Sequence, residues 1–119
     1  MKKTDMICAG ILVLSAIGHA FGSYIAYKSD PMTLLWALSA SFAVLLLAAI
    51  NLLRANRHGD RSLSWTCFFG NLAWLAACIT LARLLGNPFD IRADLQGVAV
   101  LALTGFSVKS ALSARPARS

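Results

Sequence analysis

Three uncharged apolar runs divide the chain, from Met6 to Tyr27, Pro31 to Leu53 and Ser62 to Ala82. Each exceeds the roughly 18 to 20 residues that a bilayer core requires of a helix. A fourth run, Leu95 to Val108, is shorter. It reaches spanning length when Ile91 to Asp94 lies in one headgroup zone and Lys109 extends its ammonium toward the other. The pattern predicts an all-α fold: a four-helix transmembrane bundle in a single domain over 1–119, with spans near 6–27, 32–53, 63–85 and 91–112. Short connections make neighbouring helices antiparallel, in up-down-up-down order.

The polar stretches between the runs carry turn chemistry. In Lys28-Ser29-Asp30-Pro31 the proline falls at the first helical position, where its missing N–H costs nothing. Asn56-Arg57-His58-Gly59-Asp60 is a second turn, with Asp60 or Ser62 as the cap of the third helix. Gly86-Asn87-Pro88 ends that helix. Tyr24, Tyr27 and Trp36 fall at one interface and Trp65 at the other, as an aromatic belt requires, whereas Trp74 falls near mid-membrane.

Composition strengthens the membrane reading. A hydrophobic content of 58% and a mean hydropathy of +0.68 exceed what a soluble core of this size hides. The net charge of +6 would suit nucleic acid, but the basic residues form no such face. Lys2, Lys3, Arg54, Arg57, Arg61, Lys109, Arg115 and Arg118 fall on one side of the spans. Only Lys28, Arg83 and Arg92 fall on the other, each near Asp30, Asp90 or Asp94. The positive-inside rule then predicts both termini on the cytoplasmic side. The rival reading is a cleaved secretory signal ending at Gly18-His19-Ala20, which would leave three spans. The apolar run continues to Tyr27, past the length of an ordinary signal core, and favours a retained helix.

Inside a bilayer the backbone satisfies itself, so polar and small side chains mark the faces where helices meet. Ser15, Gly18, His19, Gly22 and Ala26 form one stripe on the first span, with Gly18 and Gly22 as a small-xxx-small packing pair. The second span aligns Ala37, Ser41, Val44, Ala48 and Asn51; the third aligns Cys67, Asn71, Trp74 and Cys78; the fourth aligns Gly97, Leu101, Thr104 and Val108. Packing alone explains such stripes, with cross-helix hydrogen bonds of about 0.6 to 2 kcal/mol each. A pocket is the sharper reading, and it rests on two groups. His19, an ionisable side chain within a span, is a functional candidate, with Ser39 and Ser41 as its expected partners. Asn71 and Trp74, one turn apart, expect partners that include Thr104 or the polar group of a ligand. His58 reads as a solvated turn residue, and Cys8, Cys67 and Cys78 as small apolar core residues.

Several chemistries lack their residues. The chain has no glutamate and no aspartate in the middle of a span, so a carboxylate relay has no carrier. No clustered Cys and His spacing predicts a metal, and no phosphate loop or catalytic triad is present. A bis-histidine haem needs a second membrane histidine, which only a homodimer would supply. No cofactor is expected.

The Gly18 to Ser23 stretch (Gly-His-Ala-Phe-Gly-Ser), the Asp30-Pro31 turn and the Asn-Leu-Leu-Arg end of the second span, Asn51 to Arg54, resemble small bacterial four-span membrane proteins. More remotely, the layout is similar to the DoxX-like group. That resemblance implies a bacterial inner membrane and roles tied to membrane-associated oxidation or assembly, with no common catalytic set to carry over. Small multidrug transporters are similar in length but depend on a membrane glutamate that is missing here, and the glycine and arginine motifs of small fluoride channels are absent too.

The residues therefore support, first, a non-enzymatic membrane protein binding a small apolar molecule, a lipid or a partner membrane protein, with His19 orienting the contact. The alternative is an oligomeric transporter or channel, with the Gly18 to Gly22 face serving a homodimer. A third class is an enzyme using His19 as acid or base, for which no second catalytic group is evident.

Overall fold

The computed structural model describes residues 2–57 and 59–114, without the side chain of Arg92. These residues form four α-helices and no strand: α1 (Lys2–Tyr27), α2 (Pro31–Asn56), α3 (Arg61–Leu84) and α4 (Ile91–Ser113). All four are long and apolar enough to cross a membrane. His58, Arg115 and Arg118 lie outside the described residues.

Local chemistry sets where each helix starts and stops. Pro31 opens α2, and Asp30 caps it: the Thr33 hydroxyl donates to Asp30 Oδ2, and the Thr33 N–H donates to Oδ1 at 3.2 Å. These bonds to the ionised form hold the Asp30 carboxyl below the usual carboxylate range. A depressed folded-state pKa stabilises the protein above the ordinary carboxylate range, and the gain is lost as pH falls through the folded value. The melting-temperature gap between wild type and Asp30→Ala in detergent should therefore be widest near neutrality and close in acid. A gap that ignores pH would remove the carboxylate from the cap.

Asp60, not Ser62, caps α3, its Oδ1 accepting from the Leu63 N–H at 2.9 Å. Gly59 (φ 88°) and Gly86 (φ 63°) take the left-handed conformation that a side chain would strain, one before α3 and one after it.

The helices form a ring. α1 packs on α2 and α3 on α4, α4 closes against α1, and α2 meets α3 more sparsely. Bonds between opposite ends prove the antiparallel order: Asp5, near the start of α1, pairs with Arg54, near the end of α2. Likewise Ser64 of α3 bonds Ser110 of α4 at 3.0 Å. The bundle thus has a terminal end, where α1 starts and α4 stops, and a loop end, where the α1–α2 and α3–α4 connections lie.

What is buried suits lipid as the solvent. Leu12, Ala16, Val44, Leu47, Ala48, Ala99, Val100 and Leu103 form the apolar core, supplied by α1, α2 and α4. The residues that α3 buries are Ser64, Cys67, Asn71 and Cys78, while its Trp74 and Leu75 pack half-buried against the core. Phe21, Trp36, Phe42, Phe69 and Val98 are all exposed. Water would make such a surface a liability, whereas in a bilayer small and polar residues belong between helices and large apolar ones outside.

Two expectations need correction. The inward face of α4 is Ala93, Val100, Leu103, Ser107 and Ala111, while Leu101 is exposed and Thr104 only half-buried. The bonds that Gln96 and Ser107 make to α3 turn this face inward, whereas the Thr104 hydroxyl bonds the Val100 carbonyl of its own helix. Arg54, counted with the basic residues beside the spans, lies inside α2 and is 2% exposed, because the helix continues three residues past the apolar run. Lys2, Lys3, Arg57, Arg61 and Lys109 remain exposed at the terminal end, so the excess of basic residues there survives.

Candidate functional site

A cavity of about 330 Å³ lies between the helices toward the loop end. All four contribute to its lining: His19 from α1; Ala40, Ser41 and Val44 from α2; Trp74, Ala77, Cys78 and Leu81 from α3; Ala93 and Gln96 from α4. Small residues (Ala40, Ser41, Ala77, Cys78 and Ala93) make up half of the lining, and the space is open on one side, where His19, Ala77 and Leu81 are exposed. Protein interiors ordinarily pack with few voids larger than a water molecule. Its volume falls at the lower end of the range for small-molecule sites, about 300 to 1,000 Å³.

Four polar side chains converge on this cavity, in two bonded pairs. His19 Nδ1 lies 2.8 Å from Ser41 Oγ, which also bonds the Ala37 carbonyl at 3.3 Å. A hydroxyl has one hydrogen, and a carbonyl only accepts. When Ser41 donates to Ala37, His19 donates through Nδ1 and its Nε2 is left as an acceptor. Trp74 Nε1 donates to Gln96 Oε1 at 3.1 Å, which fixes the amide and leaves its N–H donors for another partner. No carboxylate lines the cavity. The arrangement can orient a neutral polar group; it has no second acid or base with which to work on one.

His19 and Gln96 also line a groove of about 430 Å³ between α1 and α4. Its α1 wall is the stripe seen in the sequence: Ser15, Gly18, His19, Gly22 and Ala26. A Cβ added at Gly18 or Gly22 would meet nothing within 4 Å, so within one chain the pair leaves a gap and packs against no neighbouring helix. The two spaces are neighbours, with His19 and Gln96 on the boundary.

The other candidates lie elsewhere. Asn71 is fully buried nearer the terminal end in a closed amide pair: Asn51 Nδ2 donates to Asn71 Oδ1 at 2.8 Å, and Asn71 Nδ2 donates to Asn51 Oδ1 at 3.1 Å. Asn71 also donates to Ser107 Oγ at 3.3 Å, and Ser107 donates to the Leu103 carbonyl. Thr104 bonds the Val100 carbonyl of its own helix at 2.7 Å. Ser39 is exposed and bonds the Leu35 carbonyl. Thus His19, Ser41 and Trp74 share one cavity, while Asn71 is saturated by protein partners and Thr104 does not line it.

Two groups went unnoticed in the sequence. Gln96 is the one glutamine of the chain, set in the first turns of the fourth helix, and its lone amide in an apolar run was the available signal. The Asp5–Arg54 pair, 2.5 Å from Oδ1 to Nη2, carried no comparable signal, since both charges flank apolar runs as ordinary interface residues do. Cys67 and Cys78 are buried free thiols, Cys8 is half-buried, and no described group of three His, Cys or Asp side chains is placed to hold a metal. Compared with protein-family models, curated proteins and solved structures, the chain matches none.

Proposed function

We propose that this multi-pass membrane protein binds one small, largely apolar molecule bearing a single neutral polar group, and that it does so in the cavity between its four helices. The observation that carries the reading is the convergence of His19, Ser41, Trp74 and Gln96 on a space otherwise walled by Ala40, Val44, Ala77, Cys78, Leu81 and Ala93. An apolar pocket with few, well-placed polar groups is the ordinary form of a small-molecule site. His19 accepts through Nε2 or Gln96 donates through its amide, according to the ligand's polar group. The groove over Gly18 and Gly22 supplies a lateral way in from the lipid, past the boundary formed by His19 and Gln96. The excess of exposed basic residues at the terminal end favours a cytoplasmic location for it, and the sequence resemblance favours a bacterial inner membrane.

The test is native mass spectrometry from mild detergent of wild type, His19→Ala and Ala40→Phe, each checked for helicity and melting temperature. Wild type should retain a stoichiometric small molecule. Ala40→Phe, which fills the cavity, should lose it. His19→Ala should weaken retention by about fivefold, the worth of one hydrogen bond near 1 kcal/mol. The same random lipid on all three folded proteins would sink the proposal and leave His19 and Ser41 as a packing contact.

A further inference from the structure

A second groove, of about 730 Å³, runs between α3 and α4 on the side away from His19. Cys78 and Ala93 form a wall common to this groove and the interior cavity, but no polar residue of the cavity faces it. Its length is apolar, lined by Leu75 and Ile79 of α3 and by Val98 and Leu101 of α4. Among the described residues, its loop end carries one cation and one anion, Arg83 and Asp94. No ion pair joins the two. We propose that this groove seats a phospholipid with an amine-bearing zwitterionic headgroup, the phosphate on Arg83, the ammonium on Asp94 and an acyl chain along the apolar floor.

The charges decide between lipid classes. Each has a local reason to be where it is, since Arg83 lies in the last turn of α3 and Asp94 in the first turn of α4, both favoured by the helix dipoles. The dipoles do not account for both side chains lining one apolar groove. A guanidinium offers paired donors to phosphate oxygens, and a carboxylate takes hydrogen bonds from a primary ammonium. An anionic glycerol headgroup would satisfy Arg83 and leave Asp94 facing negative charge. A choline headgroup has no N–H to donate. The groove therefore ranks ethanolamine phospholipids above choline and glycerol phospholipids of the same chains.

Both charges sit at the rim, where screening reduces the worth of a single pair, so the expected preferences are about threefold to fivefold. The test takes full-length protein, stripped of native lipid in mild detergent, and offers equimolar phosphatidylethanolamine, phosphatidylcholine and phosphatidylglycerol with identical acyl chains. Native mass spectrometry counts the lipid retained. Wild type should keep one ethanolamine lipid in preference to the other two. Asp94→Asn should erase that preference while still holding lipid, Arg83→Gln should weaken all three, and Ala40→Phe should change nothing. Equal retention of the three lipids, or an ethanolamine preference unaltered by Asp94→Asn, would overturn the assignment and leave ordinary annular lipid. Both substitutions lie near the α3–α4 loop and keep a polar side chain. A melting temperature matching wild type confirms that the readout is binding and not misfolding.

Discussion

Asp5→Leu is expected to destabilise the bundle by about 3 to 5 kcal/mol, the cost of stranding one member of a buried ion pair. Asp5 and Arg54 are 3% and 2% exposed and tie the start of α1 to the end of α2. The two single substitutions are not equivalent. A carboxyl left alone can take up a proton and become neutral, whereas a guanidinium keeps its charge at any accessible pH. Arg54 also has a buried Nε with no hydrogen-bond partner, so it has little to fall back on once Asp5 is gone. Asp5→Leu should accordingly be worse than Arg54→Leu. The double variant Asp5→Leu/Arg54→Leu should recover most of the loss, because apolar replacements of both partners leave no charge to desolvate. Unfolding in increasing mole fraction of a denaturing detergent gives all three values. A double variant as unstable as the worse single one would mean that the pair is not the source of the effect.

The second large effect is expected at Asn71. Asn71→Ala removes two hydrogen bonds with Asn51 and one with Ser107; Asn51 Nδ2 keeps its bond to the Leu47 carbonyl at 2.9 Å, but Oδ1 is stranded in a place with no exposure. Cross-helix bonds in membranes contribute about 0.6 to 2 kcal/mol each, and an unsatisfied buried group adds about 1 to 3 kcal/mol. A loss of at least about 3 kcal/mol follows, larger than expected for Thr104→Ala, whose hydroxyl bonds its own helix. The Asn51–Asn71 link joins α2 to α3, where the ring is sparsest, so its rupture should loosen the two hairpins from each other before either unfolds. Crosslinking yield between α2 and α3, measured beside the α1–α2 yield, would show that order. A double-mutant cycle with Asn51→Ala that yields no coupling energy would contradict a direct amide pair.

Much of the architecture was legible because a bilayer imposes a length and a polarity on any helix that crosses it. The runs ending at Tyr27 and beginning at Pro31 marked the end of α1 and the start of α2 within a residue, since Asp30 and Pro31 punctuate the chain chemically. The stripes on α2 and α3 were legible too: Ser41, Val44, Ala48, Asn51, Cys67, Asn71 and Cys78 are all buried, because small and polar residues in a span have only other helices to turn toward. On α4 the same rule failed, as Gly97 and Thr104 competed with Gln96 and Ser107 for the inward face and only the partners on α3 chose between them.

The chain's own composition determined that four helices form, where they end and which polar residues avoid the lipid, for these follow from spanning length, capping chemistry and desolvation acting residue by residue. Tertiary structure decided the pairings. Whether His19 meets Ser41, whether Asn71 closes on Asn51, and whether Asp5 finds Arg54 across 49 positions of sequence depend on the rotation of each helix about its axis. So do the spaces left over. A cavity is a property of what several helices together fail to fill, and no single helix encodes it.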